Sequence, residues 1–259
     1  MQTPWFLWKG MDSRMQGVIV EQYSPITRAG MRNPRLTIPG RSGSLALSNI
    51  PVYTDVRLTL KVLLKPGTRP ADVNGWLSGS GLLVLGSEPD RSLEARLTAP
   101  LQFTVLPDGW YGGYLRFDCH PLKHKYPEES DIAVTPAQLS DATWTGLTNP
   151  GDVPARSRYT LLGSGCLTLT WHLPGRENTP QFTVDLRDTP FANNGGAVFD
   201  SESMTVTTLD GSASLSSLSR LENGEAEDFG LPLGATRLTA VSEGGVLEGL
   251  TVTPRWRWL

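Results

Sequence analysis

Cysteine and histidine are nearly absent: Cys119, Cys166, His120, His124 and His172 are the whole supply of both in 259 residues. Two isolated cysteines make no disulfide framework, and they read as small buried hydrophobes in a chain folded in reducing cytosol. His120 and His124 flank Pro121, which bars the regular helix that would set both on one face, so no metal site is expected with Cys119 beside them. No histidine accompanies a Gly-x-Ser-x-Gly elbow, and a nucleophilic hydrolase is not indicated. Long apolar runs are missing too, and nothing approaches the roughly 18–20 residues that span a bilayer. Trp5-Phe6-Leu7-Trp8 lacks the basic leader and small-residue cleavage site of a signal peptide, so export by the general pathway is not expected. Surplus charge is also absent, with a net charge of -3. Both signs look mixed along the chain, which argues against a nucleic-acid partner.

Turn formers are plentiful. Gly (27) and Pro (20) accompany an apolar share of only 39%, a composition for many short strands joined by tight turns. Alternation confirms the preference: Val56, Leu58, Leu60 and Val62 are interleaved with Arg57, Thr59 and Lys61; Leu167, Leu169 and Trp171 with Thr168 and Thr170; Phe182, Val184 and Leu186 with Thr183, Asp185 and Arg187. Such half-buried strands belong to antiparallel sheets packed face to face. One short helix is expected near Pro70 to Leu77, capped by Thr68, with Val73, Trp76 and Leu77 on one face. The expected fold is therefore mainly β in two domains: a sandwich-like domain over 1–122 with one helix, a charged linker over 123–131, and a β-sandwich over 132–259. Turns at Asn149-Pro150-Gly151, Leu173-Pro174-Gly175, Asn193-Asn194-Gly195-Gly196, Asp210-Gly211 and Glu243-Gly244-Gly245 punctuate the second.

Candidate chemistry is thin. Gly79-Ser80-Gly81 and Gly163-Ser164-Gly165 lack the further glycine and helix of a dinucleotide fingerprint and the lysine of a P-loop, and read as β-turns; no cofactor is expected. Glu128, Glu129 and Asp131 imitate a carboxylate pair, but in a linker they read as solvating charge. Tryptophan is more telling. Trp256 and Trp258 alternate with Arg255 and Arg257 on a terminal strand, either as the inward face of the last strand with both arginines outward, the favoured alternative, or as a stacking platform for sugars. Trp110 and Tyr111 follow the Asp108-Gly109 turn, where aromatic residues often anchor interfaces.

Three segments carry a resemblance: Pro39-Gly40-Arg41-Ser42-Gly43; Trp76-Leu77, followed by a Gly-containing turn and Leu82 to Leu85; and Phe117-Asp118-Cys119-His120-Pro121. In order and spacing they resemble the distal tail protein (Dit) of phages with long non-contractile tails, with Ser42 where that family more often has an acidic or amide residue. Pro89-Asp90 then a strand Leu93 to Leu97, and more loosely Val198-Phe199-Asp200 and Phe229 to Gly234, extend the likeness over most of the chain. The resemblance implies a non-enzymatic virion protein at the tail tip, assembled in the host cytoplasm, with an N-terminal ring domain and a galectin-like, carbohydrate-binding-module-like C-terminal sandwich. It implies a homohexameric ring that joins the tail tube protein to tail hub proteins and displays peripheral domains for receptor-binding proteins. Gly40, Arg41 and Gly43 in the hairpin, with Trp110 and Tyr111, are then the candidate inter-subunit contacts. The alternative is a sandwich that binds host glycans through Trp256 and Trp258.

Overall fold

The computed structural model describes residues 4–25, 28–32, 35–37, 44–46, 52–98, 101–141, 146–173, 175, 178–187, 190–191 and 195–259, with backbone alone for 35–37 and 44–46. It is mainly β. Two compact units divide it, Met1–Pro127 with Leu259, and Glu128–Trp258.

The first unit is built from β1 (Phe6–Trp8), β2 (Met11–Asp12), β3 (Val18–Tyr23), β4 (Arg35–Thr37), β5 (Ser44–Ala46), β6 (Val56–Leu64), helix α1 (Pro70–Leu77), β7 (Ser80–Leu85), β8 (Glu88–Leu97), β9 (Phe103–Val105) and β10 (Tyr111–Lys125). Its antiparallel sheet runs β2-β1-β7-β8-β10-β6-β3, with β9 also on β10, while β4 and β5 pair only with each other. Strand β10 is the spine. It pairs with β6 from Tyr111 to Cys119 and with β8 from Phe117 to Lys125, and its register against β8 shifts between Cys119 and Lys123. Pro121, which has no N–H to give a ladder, sits in that shift.

Alternation decides burial here, in the expected phase on β6 but starting two residues later. Leu58, Leu60, Val62 and Leu64 are buried, whereas Val56 is half-exposed at the strand's start. They pack with Phe6, Trp8 and Phe117. Each such side chain contributes about 1.5–3 kcal/mol on leaving water. Helix α1 lays Val73 and Leu77 into this core, and Trp76 stacks on Phe6 with centroids 5.6 Å apart. The capping expectation fails. The N-cap is Arg69, with no side-chain cap bond, and Pro70 at the first turn sets the start instead. Pro89 and Asp90 fall inside β8, which begins at Glu88 and not at Leu93. Lys123 to Lys125, assigned from sequence to a linker, continue β10, with Lys123 buried and paired to Glu88 at 2.9 Å.

The second unit contains β11 (Ile132–Val134), helix α2 (Pro136–Ser140), β12 (Leu147–Asn149), β13 (Arg158–Gly163), β14 (Cys166–His172), β15 (Gln181–Asp185), β16 (Gly196–Asp200), β17 (Thr205–Thr207), β18 (Ser219–Glu222), β19 (Gly234–Glu243) and β20 (Leu247–Thr253). They form two antiparallel sheets, β11-β20-β13-β16-β17 and β12-β19-β14-β15-β18. Their inner faces share one core, in which Tyr159 and Phe199 of one sheet meet Trp171 and Phe182 of the other. Trp171 Nε1 donates to the Tyr159 hydroxyl at 3.2 Å, so two buried polar tips satisfy each other. Helix α2 was not anticipated, although Thr135 and Gln138 form a complete capping box around it.

Candidate assembly site

Of the expected interface residues, Gly40, Arg41 and Gly43 lie outside the described residues. The strands on either side are described: Arg35 pairs with Ala46 and Thr37 with Ser44. Separately, Met31 bridges Tyr53 and the Arg32 N–H donates to the Val52 carbonyl at 2.6 Å. Among the described residues no third strand joins this ribbon. Met31 and Val52 stand 57% and 47% exposed.

Trp110 and Tyr111 open β10 at the far end of the spine. The turn before them uses two left-handed residues, Asp108 (φ 57°) and Gly109 (φ 77°), a conformation that suits Asp and Gly. Leu106 N–H donates to the Trp110 carbonyl at 2.8 Å and closes the β9–β10 hairpin. Tyr111 leans on the core, while Trp110 is half-buried.

Beside this hairpin an open groove of about 550 Å³ crosses the solvent face of the sheet, lined by Glu21, Lys61, Leu63, Gln102, Thr104, Leu106, Gly112, Gly113, Tyr114 and Arg116. Gly112 leaves a shallow floor between Leu63 and Leu106. Gly113 admits the Phe103 ring: a Cβ there would lie 2.7 Å from Phe103 Cδ1. Phe103 thus fastens β9 to β10, as an aromatic ring over a strand glycine does. Among the ion pairs of the same unit, Lys61–Glu21 at 3.0 Å and Arg57–Asp118 at 3.4 Å are both exposed enough to be worth little. Composition did not reveal this groove. Its one sequence signal is the uncharged run Leu101-Gln102-Phe103-Thr104-Val105-Leu106.

The sugar-stacking assignment does not survive. Trp256 and Trp258 are only 4% and 8% exposed and belong to the sandwich core, so neither indole offers a ring face to a sugar. The companion expectation of outward arginines also needs correction. Arg257 is buried and pairs with Glu202, while Arg255, at φ 53°, turns to Asp200 at 2.8 Å. Burial pulls the Arg257 guanidinium below its usual range, and Glu202 opposes that. Burial alone would raise the Asp200 carboxyl, but hydrogen bonds from Arg255 and from the Glu202 N–H hold it below the ordinary carboxylate range.

The reactive side chains are dispersed. Cys119 is buried, and desolvation pushes its thiol up to about 12. His172 Nε2 lies 2.9 Å from Thr239 Oγ1, and burial lowers its pKa. Among the described residues no three His, Cys, Asp or Glu side chains gather as metal ligands do. Asp131, from the acidic trio, accepts a hydrogen bond from Thr253 at 2.6 Å. The two units also expose a charge pattern that the total conceals. Residues 1–127 hold fifteen Lys and Arg against nine Asp and Glu, net +6; residues 128–259 hold eight against seventeen, net -9. The signs are therefore segregated, not mixed.

No protein-family model matches the chain, and no curated protein matches it in sequence. Solved structures do. The chain aligns over 100% of its length with 100% of the Dit protein (gp 19.1) of phage SPP1, described as a paradigm of the hub adsorption apparatus in phages infecting Gram-positive bacteria, at TM-score 0.68 and 15% identity. It aligns over 97% of its length with 98% of a chain from the phage P2 baseplate in its activated conformation with Ca, at TM-score 0.50 and 11% identity. The chain has the fold of a phage distal tail protein.

Proposed function

We propose that this protein is a structural component of a phage tail hub, a Dit-like subunit that closes into a homohexameric ring between the tail tube and the tip, with its second unit available to receptor-binding proteins. The observation that carries this is the end-to-end fold match to SPP1 Dit, which spans both units. The β4–β5 pair agrees with it: among the described residues no third strand joins it, and a two-stranded hairpin is marginally stable without a neighbour to pack on. A ring is a closed set of heterologous contacts, so each copy needs two different complementary surfaces. The ribbon bearing Arg41 supplies one, and the hairpin at Trp110 and Tyr111 supplies the other. The ring joins tube and hub partners in the virion.

The test is the mass of the full chain by light scattering after size exclusion over a range of concentrations, with negative-stain images, alone and with its cognate tube and hub proteins. A six-membered ring with an open centre is expected. Arg41→Glu should leave a folded monomer that no longer closes. A chain that stays monomeric even with both partners refutes the assignment.

A further inference from the structure

The second unit holds a half-buried arginine that no acid among the described residues answers, and we infer that the outer sheet face around it binds an acidic saccharide through Arg237. This inference concerns the second unit alone and stands apart from ring closure. Alternation turns Leu169, Trp171, Phe182 and Leu238 into the core. It leaves Thr170, His172, Gln181, Arg237 and Thr239 half-buried on the opposite face of β14, β15 and β19. Register sets His172 opposite Arg237, and Thr170 opposite both Thr239 and Gln181. These side chains make a polar platform about 10 Å wide across the strands and about 7 Å long.

The occupant follows from charge. In so acid-rich a unit an arginine finds a carboxylate easily: Arg156, Arg187, Arg220, Arg255 and Arg257 pair with Glu227, Asp185, Glu222, Asp200 and Glu202. Arg237 makes no ion pair among the described residues. Its Nε is shut away from water with no acceptor, while its two Nη groups are not so enclosed. A part-buried guanidinium without a partner costs stability, and its planar fork fits a carboxylate or phosphate. The facing imidazole does not oppose an anion's neighbour, because burial first and the Arg237 charge second lower the His172 pKa and keep the ring neutral at pH 7. His172 Nε2 lies 2.9 Å from Thr239 Oγ1, and either tautomer leaves that pair a spare donor, the threonine hydroxyl or the imidazole Nδ1–H. Glu222, the acid opposite Gln181, is already held by Arg220 at 3.0 Å. The polar lining then selects the carrier. Threonine hydroxyls and the Gln181 amide suit a hydroxylated ring, whereas a protein partner is received on an apolar and aromatic centre. The exposed apolar side chain on this face is Val241, set to one side opposite Thr168.

The experiment titrates the full chain with a uronic-acid oligomer, a sugar phosphate, the neutral oligomer of the same sugar, and inorganic phosphate, reading the imidazole proton–carbon signals by NMR. His120 and His124 belong to the first unit and serve as internal controls. At least one acidic saccharide should bind about tenfold or more tightly than the neutral one and shift His172 but not the other two. Arg237→Gln should weaken that binding about tenfold or more, while Arg158→Gln, at an exposed arginine on β13, should bind as wild type. The uronate and sugar phosphate arms tell which anion the site takes. Equal binding of acidic and neutral sugars, a His172 signal that does not move, or an Arg237→Gln chain that binds as wild type overturns the inference. Inorganic phosphate bound as tightly as either acidic sugar reduces the face to an anion site and overturns saccharide recognition. If Arg237→Gln fails to fold, Thr239→Val replaces it, with weaker binding expected and unchanged binding counting against the site. Ring mass is measured on the same samples, and any of these outcomes leaves the hub assignment standing.

Discussion

Alanine at Gly113 should damage the β9–β10 hairpin, and alanine at Gly112 should not. A Cβ on Gly113 would sit 2.7 Å from Phe103 Cδ1 and 2.8 Å from the Gln102 carbonyl oxygen. The ring can turn aside, but the carbonyl belongs to the main chain and moves only with the strand. Overpacking of this sort costs about 1–3 kcal/mol. At Gly112 the nearest atoms are Leu106 Cδ1 at 3.1 Å and Leu63 Cδ2 at 3.6 Å, the ends of flexible side chains. That substitution should stay within about 0.5 kcal/mol of wild type. The assay is thermal unfolding of the full chain with peptide-resolved hydrogen exchange, which assigns each transition to its unit. Gly113→Ala should lower the first unit's transition by about 3–10 °C and speed exchange at Phe103–Val105 by about 5- to 150-fold if the loss is local. Gly112→Ala should leave both unchanged. Equal effects from the two substitutions, or none from Gly113→Ala, would refute the claim that Phe103 is what fastens this edge.

Trp256→Ala should cost the sandwich about 3–5 kcal/mol, seen as a lower urea midpoint for the second unit; unchanged stability with loss of sugar binding would restore the stacking platform. A thiol reagent at pH 8 should modify Cys166, which is partly exposed, before Cys119, whose buried thiol is pushed up to about 12, and prior labelling of Cys119 contradicts the burial. Acid should destabilise the fold. Asp12, Asp185, Asp200 and Asp210 all lie below the usual carboxylate range, held there by hydrogen bonds, and Asp210 reaches about 2 through Thr208 and Ser212. Their folded forms bind protons less readily than the unfolded chain, so their contribution is complete above about pH 5 and is lost as pH falls through 4 toward 2. Urea midpoints at pH 7, 4 and 2.5 should fall in that order, with a shallower fall for Asp200→Asn; a midpoint that rises on acidification reverses the sign of the argument.

Strand existence and facing were legible because both are local. Period-2 alternation needs only the pleat, and it places Leu167, Leu169, Trp171, Phe182 and Val184 inward as observed. What failed depends on neighbours. Val56 is an apolar residue in phase with the buried face, yet it sits at the strand's opening where less of the core covers it. Lys123 looked like solvent-seeking linker, and Glu88 across the sheet is what allows it to be buried in β10. Arg257 looked outward for the same reason, until Glu202 is brought to it. Charge residues read one at a time mispredict burial wherever a distant partner neutralises them. The open edge of β9 was illegible for a related reason, because a strand shows what it pairs with only after the whole sheet is assembled.

Segregated charge leads to a last consequence at Asp108. This residue is exposed at the tip of the hairpin, in the left-handed region that Asn tolerates as well as Asp. Asp108→Asn therefore removes the hairpin's single charge without straining its turn. If the four arginines between Glu21 and Asp55 are steered toward this edge, the change should slow ring assembly at low salt and leave dissociation nearly untouched, since rim charges act on encounter. The difference should vanish near 0.5 M salt, where screening extends only about 4–5 Å. Stopped-flow light scattering at two salt concentrations measures this contribution. An Asp108→Asn chain that assembles at the wild-type rate in low salt would mean that the cationic ribbon is drawn elsewhere, and the acid-rich second unit of a neighbouring copy would then be the surface to test.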